Sequence, residues 1–145
     1  MRILFVDQQP RTERSVQPYD IAAIAKLLNG YASPGTTIEI TRGRYKSYEI
    51  VDTPGVYGIS SFTDEEAVTR DVVIQADIVL NIVDASHLER DLFLTQQLID
   101  MGKKVAVVLN FMDEVQKLGL EIDTKLLSSF LGVPVFRTTA TTRSG

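Results

Sequence analysis

The sequence predicts an α/β protein built on a mostly parallel sheet with one antiparallel edge strand. Continuously apolar segments such as "DIVLNIVDA" and "KVAVVLNF" are typical of strands that are covered on both faces. Helical segments alternate with them, and this alternation favours a parallel sheet with right-handed crossovers. The segment "TTIEITRGRYKSYEIVD" contains two extended stretches in succession, so it predicts a hairpin that adds the antiparallel strand.

The N-terminal elements are predicted from their local patterns. "RILFV" indicates a short buried strand, and the polar segment "PRTERSVQP" indicates a loop because prolines bound it. "YDIAAIAKLLNG" is predicted to be a helix with its aliphatic residues on one face and Gly30 as its C-cap. The turn of the hairpin is expected at Arg42-Gly43-Arg44.

The C-terminal half continues the pattern. Thr63 and Glu66 have the spacing of a capping box, which predicts a helix over "TDEEAVTRDVVIQ". A second helix is expected over "LERDLFLTQQLIDMG", with Leu94, Leu98 and Met101 on its inner face. A short helix, "TKLLSSFLG", and a last strand, "VPVFRT", complete the prediction.

The composition of the chain limits the functions that it can have. The 145 residues suit one domain, and a net charge of −4 argues against a nucleic-acid backbone or an anionic membrane as the main partner. The chain has no cysteine, which excludes disulfides and thiolate metal sites. No apolar run approaches the roughly 20 residues of a membrane span, and the start does not resemble a signal peptide. A cytoplasmic protein is therefore expected.

The sequence Asp52-Thr-Pro-Gly55 follows an apolar strand and fits the D-x-x-G element of P-loop GTPases. In that element the carboxylate holds Mg²⁺, and the glycine N–H reaches the γ-phosphate. Because Asp, Pro and Gly are also common turn residues, a plain turn is the alternative interpretation, which this motif by itself favours.

The sequence Asn110-Phe-Met-Asp113 follows "VAVVL" and has the N-x-x-D spacing that selects guanine. The Asp carboxylate accepts the two N–H groups of the base edge, the Asn braces the loop, and Phe111 can cover the base. The alternative is that both residues merely cap the next helix. The two motifs occur in the expected order, which makes a chance match improbable.

Three further residues are weaker candidates. Thr37 precedes the hairpin, where a threonine of a mobile loop can reach Mg²⁺ and the γ-phosphate. Ala140 follows the last strand and can offer its N–H to the guanine O6. His87, the single histidine, is interpreted as a helix-terminal or surface residue rather than a catalytic base.

Together these segments resemble the G domain of the ferrous iron transporter B (FeoB) family. "PGTTIEI", "YEIVDTPGVYGISSFTDEE", "ADIVLNIVDASHLERDLFLTQQLIDMGKKVAVVLNFMDE" and "LGVPV" are similar to that family from Pro34 onward. The expectation is one domain over 1–145, divergent over 1–33 and FeoB-like over 34–145, with a Ras-like P-loop GTPase fold that lacks its last helix.

The resemblance implies binding of GTP or GDP with slow hydrolysis, coupled to ferrous iron uptake. It assigns Mg²⁺ to Asp52 and Thr37, the phosphate to Gly55 and Thr37, and guanine to Asn110, Asp113 and Ala140. Residue 56 is valine, so no glutamine follows Gly55 to orient the attacking water.

The chain departs from the family at the phosphate loop. The family has G-N-P-N-x-G-K-[ST] after the first strand, whereas this chain runs "FVDQQPRTERSVQPYDI" with neither glycine nor lysine before Lys26. The missing asparagine also argues against a monovalent-cation site. Nucleotide binding is therefore expected to be weak, and whether the chain is an enzyme stays open.

Two alternatives follow from this departure. One is a nucleotide-free pseudo-GTPase that serves as an interaction module, with a full-length iron transporter or a second copy as its partner. The other is a truncated remnant of a transporter gene. The resembled family is anchored in the inner membrane by segments beyond Gly145, so this portion is expected on the cytoplasmic side, with no nucleic acid as partner.

Overall fold

The computed structural model describes residues 1–7, 40–60 and 62–139. These residues form one six-stranded sheet with the strand order β2-β3-β1-β4-β5-β6. The strands are β1 (Arg2–Asp7), β2 (Thr41–Tyr45), β3 (Tyr48–Asp52), β4 (Ile78–Asp84), β5 (Val105–Asn110) and β6 (Val135–Arg137). Strands β2 and β3 pair antiparallel, and the other described pairs are parallel. The predicted fold class is confirmed.

Four α-helices accompany the sheet in the described part of the chain: α1 (Asp64–Gln75), α2 (Leu88–Asp100), α3 (Met112–Lys117) and α4 (Thr124–Leu131). A 3₁₀ turn over Ala85–His87 joins β4 to α2. The helices that the sequence predicts at α1, α2 and α4 are confirmed. The loop over 10–18 and the helix over 19–30 lie outside the described residues.

The predicted capping box at α1 is present in a shifted form. Thr63 is the N-cap, and its hydroxyl accepts the N–H of Glu66 at 3.1 Å. The Glu66 carboxylate accepts from the N–H of Phe62 at 3.1 Å, one residue before the cap. The first bond satisfies a backbone donor that the first helical turn leaves without a partner, and the second fixes the chain just before the cap.

The hairpin turn is not where the sequence suggested. Gly43 pairs with Ile50 within the β2–β3 ladder, and the chain reverses at Lys46-Ser47. The prediction of a turn at 42–44 is therefore wrong. Lys46 has φ of 53°, the left-handed conformation that two-residue hairpin turns require. The aromatic pair Tyr45–Tyr48 directly flanks this turn and favours the observed register.

The inner face of α2 is only partly the one predicted. Leu94 and Leu98 are completely buried, and such burial stabilises a fold by about 1.5–3 kcal/mol per side chain. Met101 lies beyond the helix as its C-cap and is exposed, so its predicted place on the inner face is wrong. Asp91 and Thr95 are buried on this face instead. A buried carboxylate needs hydrogen-bonded partners, and Asp91 has one at the carboxyl end of β4 and one in Arg90 of α2 itself.

The carboxyl ends of β3, β4 and β5 lie at one edge of the sheet. They carry Asp52, Asp84 and Asn110, and Asp84 is directly paired with Asn110 across the β4–β5 ladder. The strands behind them are held by a single apolar cluster that includes Val51, Val83 and Leu109. A rigid sheet therefore presents three polar side chains at the edge where ligands bind in open α/β sheets.

Candidate functional site

The polar residues at the carboxyl edge of the sheet are deeply buried. Asp52 and Asn110 are each 1% exposed, and Asp84 is 7% exposed. Two of these residues, Asp52 and Asn110, are the first residues of the two motifs that the sequence predicted. The parallel strands thus bring residues 58 positions apart (110 − 52) to the same edge of the sheet.

The segment after Asp52 forms a loop that is anchored to the core. Thr53 is completely buried, while Gly55 is half-buried and lies at the surface of the edge. Val56 and Ile59 are buried in the main apolar cluster, so they hold the rest of the loop against the protein. Gly55 is thus available to a ligand. Thr37, predicted to act with Asp52 and Gly55, lies outside the described residues.

The loop Asn110–Asp113 is braced from the neighbouring strand. The side-chain oxygen of Asn110 accepts from the Thr138 hydroxyl at 3.3 Å. The Thr138 N–H in turn donates to the Leu109 carbonyl at 2.7 Å. Phe111 adopts a left-handed conformation with φ of 62°, which is unusual for a residue with a bulky side chain. Backbone strain of this kind persists where surrounding contacts hold it, as they do at this loop.

Asp113 lies in the first turn of α3 and has unused hydrogen-bonding capacity. Its Oδ1 is buried and has no hydrogen-bond partner among the described residues. Its Oδ2 lies 3.7 Å from Nζ of Lys117, one turn along the helix. A buried carboxylate oxygen without a donor is unfavourable unless a ligand supplies one. Ala140, predicted to share this site, lies outside the described residues.

A cleft of about 480 Å³ lies beside Asp113. Its described lining includes Asp113, Gln116, Glu121, Arg137 and Thr139. The volume falls in the range of small-molecule sites, and the lining offers both donors and acceptors. The Asn110–Asp113 motif therefore borders a cleft that is large enough for a small polar ligand.

Asp84 closes a compact polar turn between β4 and α2. Its Oδ1 accepts from the Ser86 N–H at 2.9 Å and from the Ser86 hydroxyl at 2.6 Å, and its Oδ2 lies 2.9 Å from Nδ1 of His87. Burial of this carboxyl opposes its ionisation, but the hydrogen bonds from Ser86 and His87 outweigh burial and lower the pKa of Asp84. His87 is the N-cap of α2, and its side chain is more than half exposed, which agrees with its interpretation as a helix-terminal surface residue.

Asp52 is the one described residue that the sequence assigns to Mg²⁺. No group of three or more His, Cys, Asp or Glu side chains among residues 1–7, 40–60 and 62–139 could hold a metal ion. Asp52 nevertheless offers a carboxylate at the strand end. Mg²⁺ prefers oxygen ligands and keeps several waters, so it is commonly bound by one or two carboxylates together with substrate phosphates. The Asp52 carboxylate therefore fits Mg²⁺ as one ligand, in a site that substrate phosphates would complete.

Sequence reasoning missed one residue of this edge and one contact. Asp84 ends an apolar strand as Asp52 does, so the same pattern, an acidic residue after a buried strand, could have indicated it. Thr138 belongs to the strand-end segment 138–140 that the sequence indicates, but its contact with Asn110 could not be predicted, because it depends on how β5 and β6 are aligned.

A family model and individual relatives both match this chain, and they belong to the same family. The sequence model of the family described as "Ferrous iron transport protein B" matches residues 28–145. The Fe(2+) transporter FeoB of Helicobacter pylori strain 26695 is 47% identical over 93 residues, which cover 63% of this chain and 14% of that protein. The Campylobacter jejuni FeoB is 37% identical over 115 residues, 75% of this chain and 19% of that protein. The chain therefore spans less than a fifth of these curated relatives.

Solved structures share the fold over nearly the whole chain. NFeoB from S. thermophilus, bound to GDP.AlF4⁻ and K⁺, matches with a TM-score of 0.80 and 34% identity, covering 100% of this chain and 58% of that one. The FeoB G-domain from Methanococcus jannaschii matches with a TM-score of 0.75 and 30% identity, covering 99% of this chain and 88% of that one.

No helix in the described ranges is both long enough and apolar enough to span a bilayer. The M. jannaschii structure is that of a G-domain, and the Ras-like fold expected from the sequence is the one observed. With the family model covering most of its length, the chain belongs to the ferrous iron transport protein B family and has the GTPase-like fold of that family's G domain.

Proposed function

We propose that this chain is a guanine-nucleotide-binding domain of an iron-transport protein, with weak affinity for its nucleotide. The observation that carries the proposal is the braced loop Asn110–Asp113, which holds a buried, unpartnered carboxylate oxygen beside a cleft. Asp52 and Gly55 lie at the same edge of the sheet. A GTP or GDP molecule would offer its base N–H groups to the Asp113 carboxylate and its phosphates to Asp52 and Gly55.

The base half of the site uses three residues of the braced loop. Asp113 accepts the two N–H groups on the edge of guanine, which supplies the donor that its Oδ1 lacks. Asn110, held by Thr138, maintains the position of the loop. Phe111 covers one face of the base with its ring, a contact that favours any purine and therefore adds affinity rather than selectivity. The Ala140 N–H is proposed to reach the guanine O6.

The phosphate half uses Asp52 and Gly55. Asp52 is proposed to hold Mg²⁺ together with Thr37, and the Gly55 N–H to reach the γ-phosphate. Bound Mg²⁺ would neutralise phosphate charge. K⁺ belongs in any test, since the S. thermophilus relative was solved with K⁺. This chain, however, lacks the phosphate-loop asparagine of the resembled family.

Weak affinity follows from the sequence between β1 and Lys26, which contains neither glycine nor lysine. A glycine-rich phosphate loop supplies several backbone N–H donors and one lysine charge. Each lost charge-assisted hydrogen bond corresponds to about 1.5–3 kcal/mol, and each 1.4 kcal/mol to about tenfold in Kd. Hydrolysis is proposed to be slow at best, because Val56 cannot orient water.

The test is a calorimetric titration of the chain with GDP and with a non-hydrolysable GTP analogue, in the presence of Mg²⁺ and K⁺. Saturable binding with a clear preference over ADP supports the proposal. Absence of binding at about millimolar ligand, with the circular dichroism of a folded α/β protein, contradicts it.

A second candidate is an interaction module that binds no nucleotide. It is favoured by the apolar surface of α4 and β6, where Phe130 is 81% exposed and Leu126 and Phe136 are each 55% exposed. Exposed apolar patches often mark protein contacts. We propose as partners a full-length transporter of this family or a second copy of the chain, on the cytoplasmic side of the membrane.

In either case residues 1–145 are proposed to form one domain, FeoB-like over 34–145. Sedimentation velocity of the nucleotide-free chain tests for self-association.

A further inference from the structure

The loop after Gly55 is held against helix α2 by polar contacts as well as by its buried apolar residues. The N–H of Ile59 donates to the side-chain oxygen of Gln97 at 2.9 Å. Gly58 packs so closely that an added Cβ would lie 3.2 Å from the same oxygen and 3.6 Å from the Phe93 ring. The loop therefore packs closely on α2 at Gly58, and a Cβ at this position would require the Gln97 side chain to shift by a few tenths of an ångström.

The same loop is joined to α2 at a second point. The guanidinium carbon of Arg90 lies 4.7 Å from the centre of the Tyr57 ring, a cation–π distance. Arg90 is itself oriented, because its Nε donates to the buried carboxylate of Asp91 at 2.6 Å. An arginine with one face on a ring and its Nε on a carboxylate has less rotational freedom than an arginine held by one of these contacts alone.

Asp91 extends this connection to the sheet. Its second oxygen accepts the N–H of Asp84, the last residue of β4, at 3.1 Å. The turn after Asp84 packs against α3, the helix whose first turn contains Asp113. A chain of direct contacts therefore runs from the loop beside Gly55, through Tyr57, Arg90 and Asp91, to Asp84.

We propose that Gln97 and Arg90 form a latch that holds the loop 55–60 in one position without any nucleotide, and that both are positioning residues for Gly55. The positioning of Gly55 for a phosphate rests on the proposed function. The latch itself does not depend on nucleotide binding. In a switch loop that is mobile without ligand, triphosphate binding includes the free energy of ordering the loop. Here the contacts with α2 supply that order in advance.

The latch is tested first without nucleotide, by amide hydrogen exchange of the full chain followed residue by residue by NMR. Gln97→Ala is expected to speed exchange of the Ile59 amide about tenfold, the equivalent of one lost hydrogen bond. Gln97→Glu keeps an oxygen acceptor and is expected to restore most of the protection. Gln96→Ala is the matched control, because Gln96 is exposed and bonds only Asp100 among the described contacts.

The second contact is tested in the same way. Tyr57→Leu removes the ring under Arg90 and is expected to speed exchange at Gly58 and Ile59, while Tyr57→Phe keeps the ring and should match the unmodified chain. The amide of Val107, in the centre of β5, reports global stability. Unchanged exchange at Ile59, or acceleration of Val107 by the same factor as Ile59, would overturn the latch.

Nucleotide affinities test the positioning role. Gln97→Ala is expected to weaken binding of the GTP analogue about tenfold while leaving GDP unchanged, because only the triphosphate reaches Gly55. An equal change for both ligands would overturn positioning, even where exchange supports the latch. If the unmodified chain binds neither ligand, the proposed function and the positioning role both fail, and the exchange data alone decide whether the latch exists.

Discussion

The carboxylate of Asp91 accepts the backbone N–H of Asp84 at 3.1 Å, and this contact fastens helix α2 to the last residue of β4. Asp91 is completely buried, yet it lies on the helix face that otherwise carries Leu94 and Leu98. Its other oxygen binds Arg90 at 2.6 Å. A single buried side chain therefore links the core of the domain to the edge of the sheet where the candidate site lies.

Removing this carboxylate is expected to destabilise the fold. Asp91→Ala loses two hydrogen bonds to a charged acceptor and should lower the free energy of unfolding by about 2–4 kcal/mol. Asp91→Asn keeps an oxygen for the Asp84 N–H and should lose about half as much. Urea unfolding followed by circular dichroism measures both. Asp71→Ala is the control, because Asp71 is exposed and pairs with Arg70 only at 3.8 Å. A loss no larger than that of the control would contradict the role assigned to Asp91.

The stability of the chain is expected to depend on pH through Asp84. Burial opposes ionisation of Asp84, yet the bonds from Ser86 and His87 bring its pKa in the folded chain below the ordinary 3.8. A lowered pKa means that this stabilisation is present above the ordinary value and is lost as the pH falls through the lowered one.

The comparison of the unmodified chain with Asp84→Asn measures this effect. The difference in their free energies of unfolding should shrink as the pH falls below 3.8. Asp100→Asn, which removes an exposed carboxylate that accepts from Gln96, serves as the control. A difference that widens in acid would show that the sign is wrong.

Asp113→Ala is expected to abolish any preference for guanine over adenine. Guanine would lose two hydrogen bonds to a carboxylate, which corresponds to at least about a hundredfold in Kd, whereas ADP binding should hardly change. Competition of GDP and ADP in calorimetric titrations measures the ratio. Glu114→Ala is the matched control, because Glu114 neighbours Asp113 and shares its contact with Lys117. Equal GDP affinity in both variants would place the base elsewhere.

Asp52→Asn is expected to remove the dependence of nucleotide binding on Mg²⁺. The amide keeps the size of this buried side chain, so the fold should persist, but it lacks the charge that holds the ion. The measurement is Kd for GDP with and without Mg²⁺. Asp77→Asn removes a carboxylate that accepts from the Arg2 N–H at the opposite edge of the sheet, and it should leave the Mg²⁺ dependence intact. Retained dependence in Asp52→Asn would mean that the metal is bound by other residues.

Much of this arrangement can be predicted from sequence because it depends on local patterns. Strands β4 and β5 are mostly apolar, and each ends in a polar residue, Asp84 or Asn110, where the chain leaves the core. The cap of α1 follows from the spacing of Thr63 and Glu66 alone. Strand ends in a parallel sheet face one edge, so the convergence of Asp52 and Asn110 could also be predicted.

The rest depends on contacts between distant residues. The sequence places the hairpin turn wrongly because glycine, here Gly43, is common in turns. The observed turn uses Lys46 in a left-handed conformation, and lysine is not a residue type that predicts such a turn. The burial of Asp91 could not be predicted from α2 alone, because a charged residue at that position looks exposed until its partner on β4 is known. Spacing identifies the residues of a motif, but not the contacts that brace them.

The absence of cysteine and tryptophan from the 145 residues makes this chain a convenient host for spectroscopic probes. One introduced thiol would be unique, so a fluorophore or spin label attached to it reports from a single site. Ser60 is exposed at the end of the loop beside Gly55, whereas Gly58, two residues before it, is buried, and a Cβ there would lie 3.2 Å from the Gln97 side chain. A label on Ser60→Cys would therefore follow the motion of this loop directly, in real time and without a background signal.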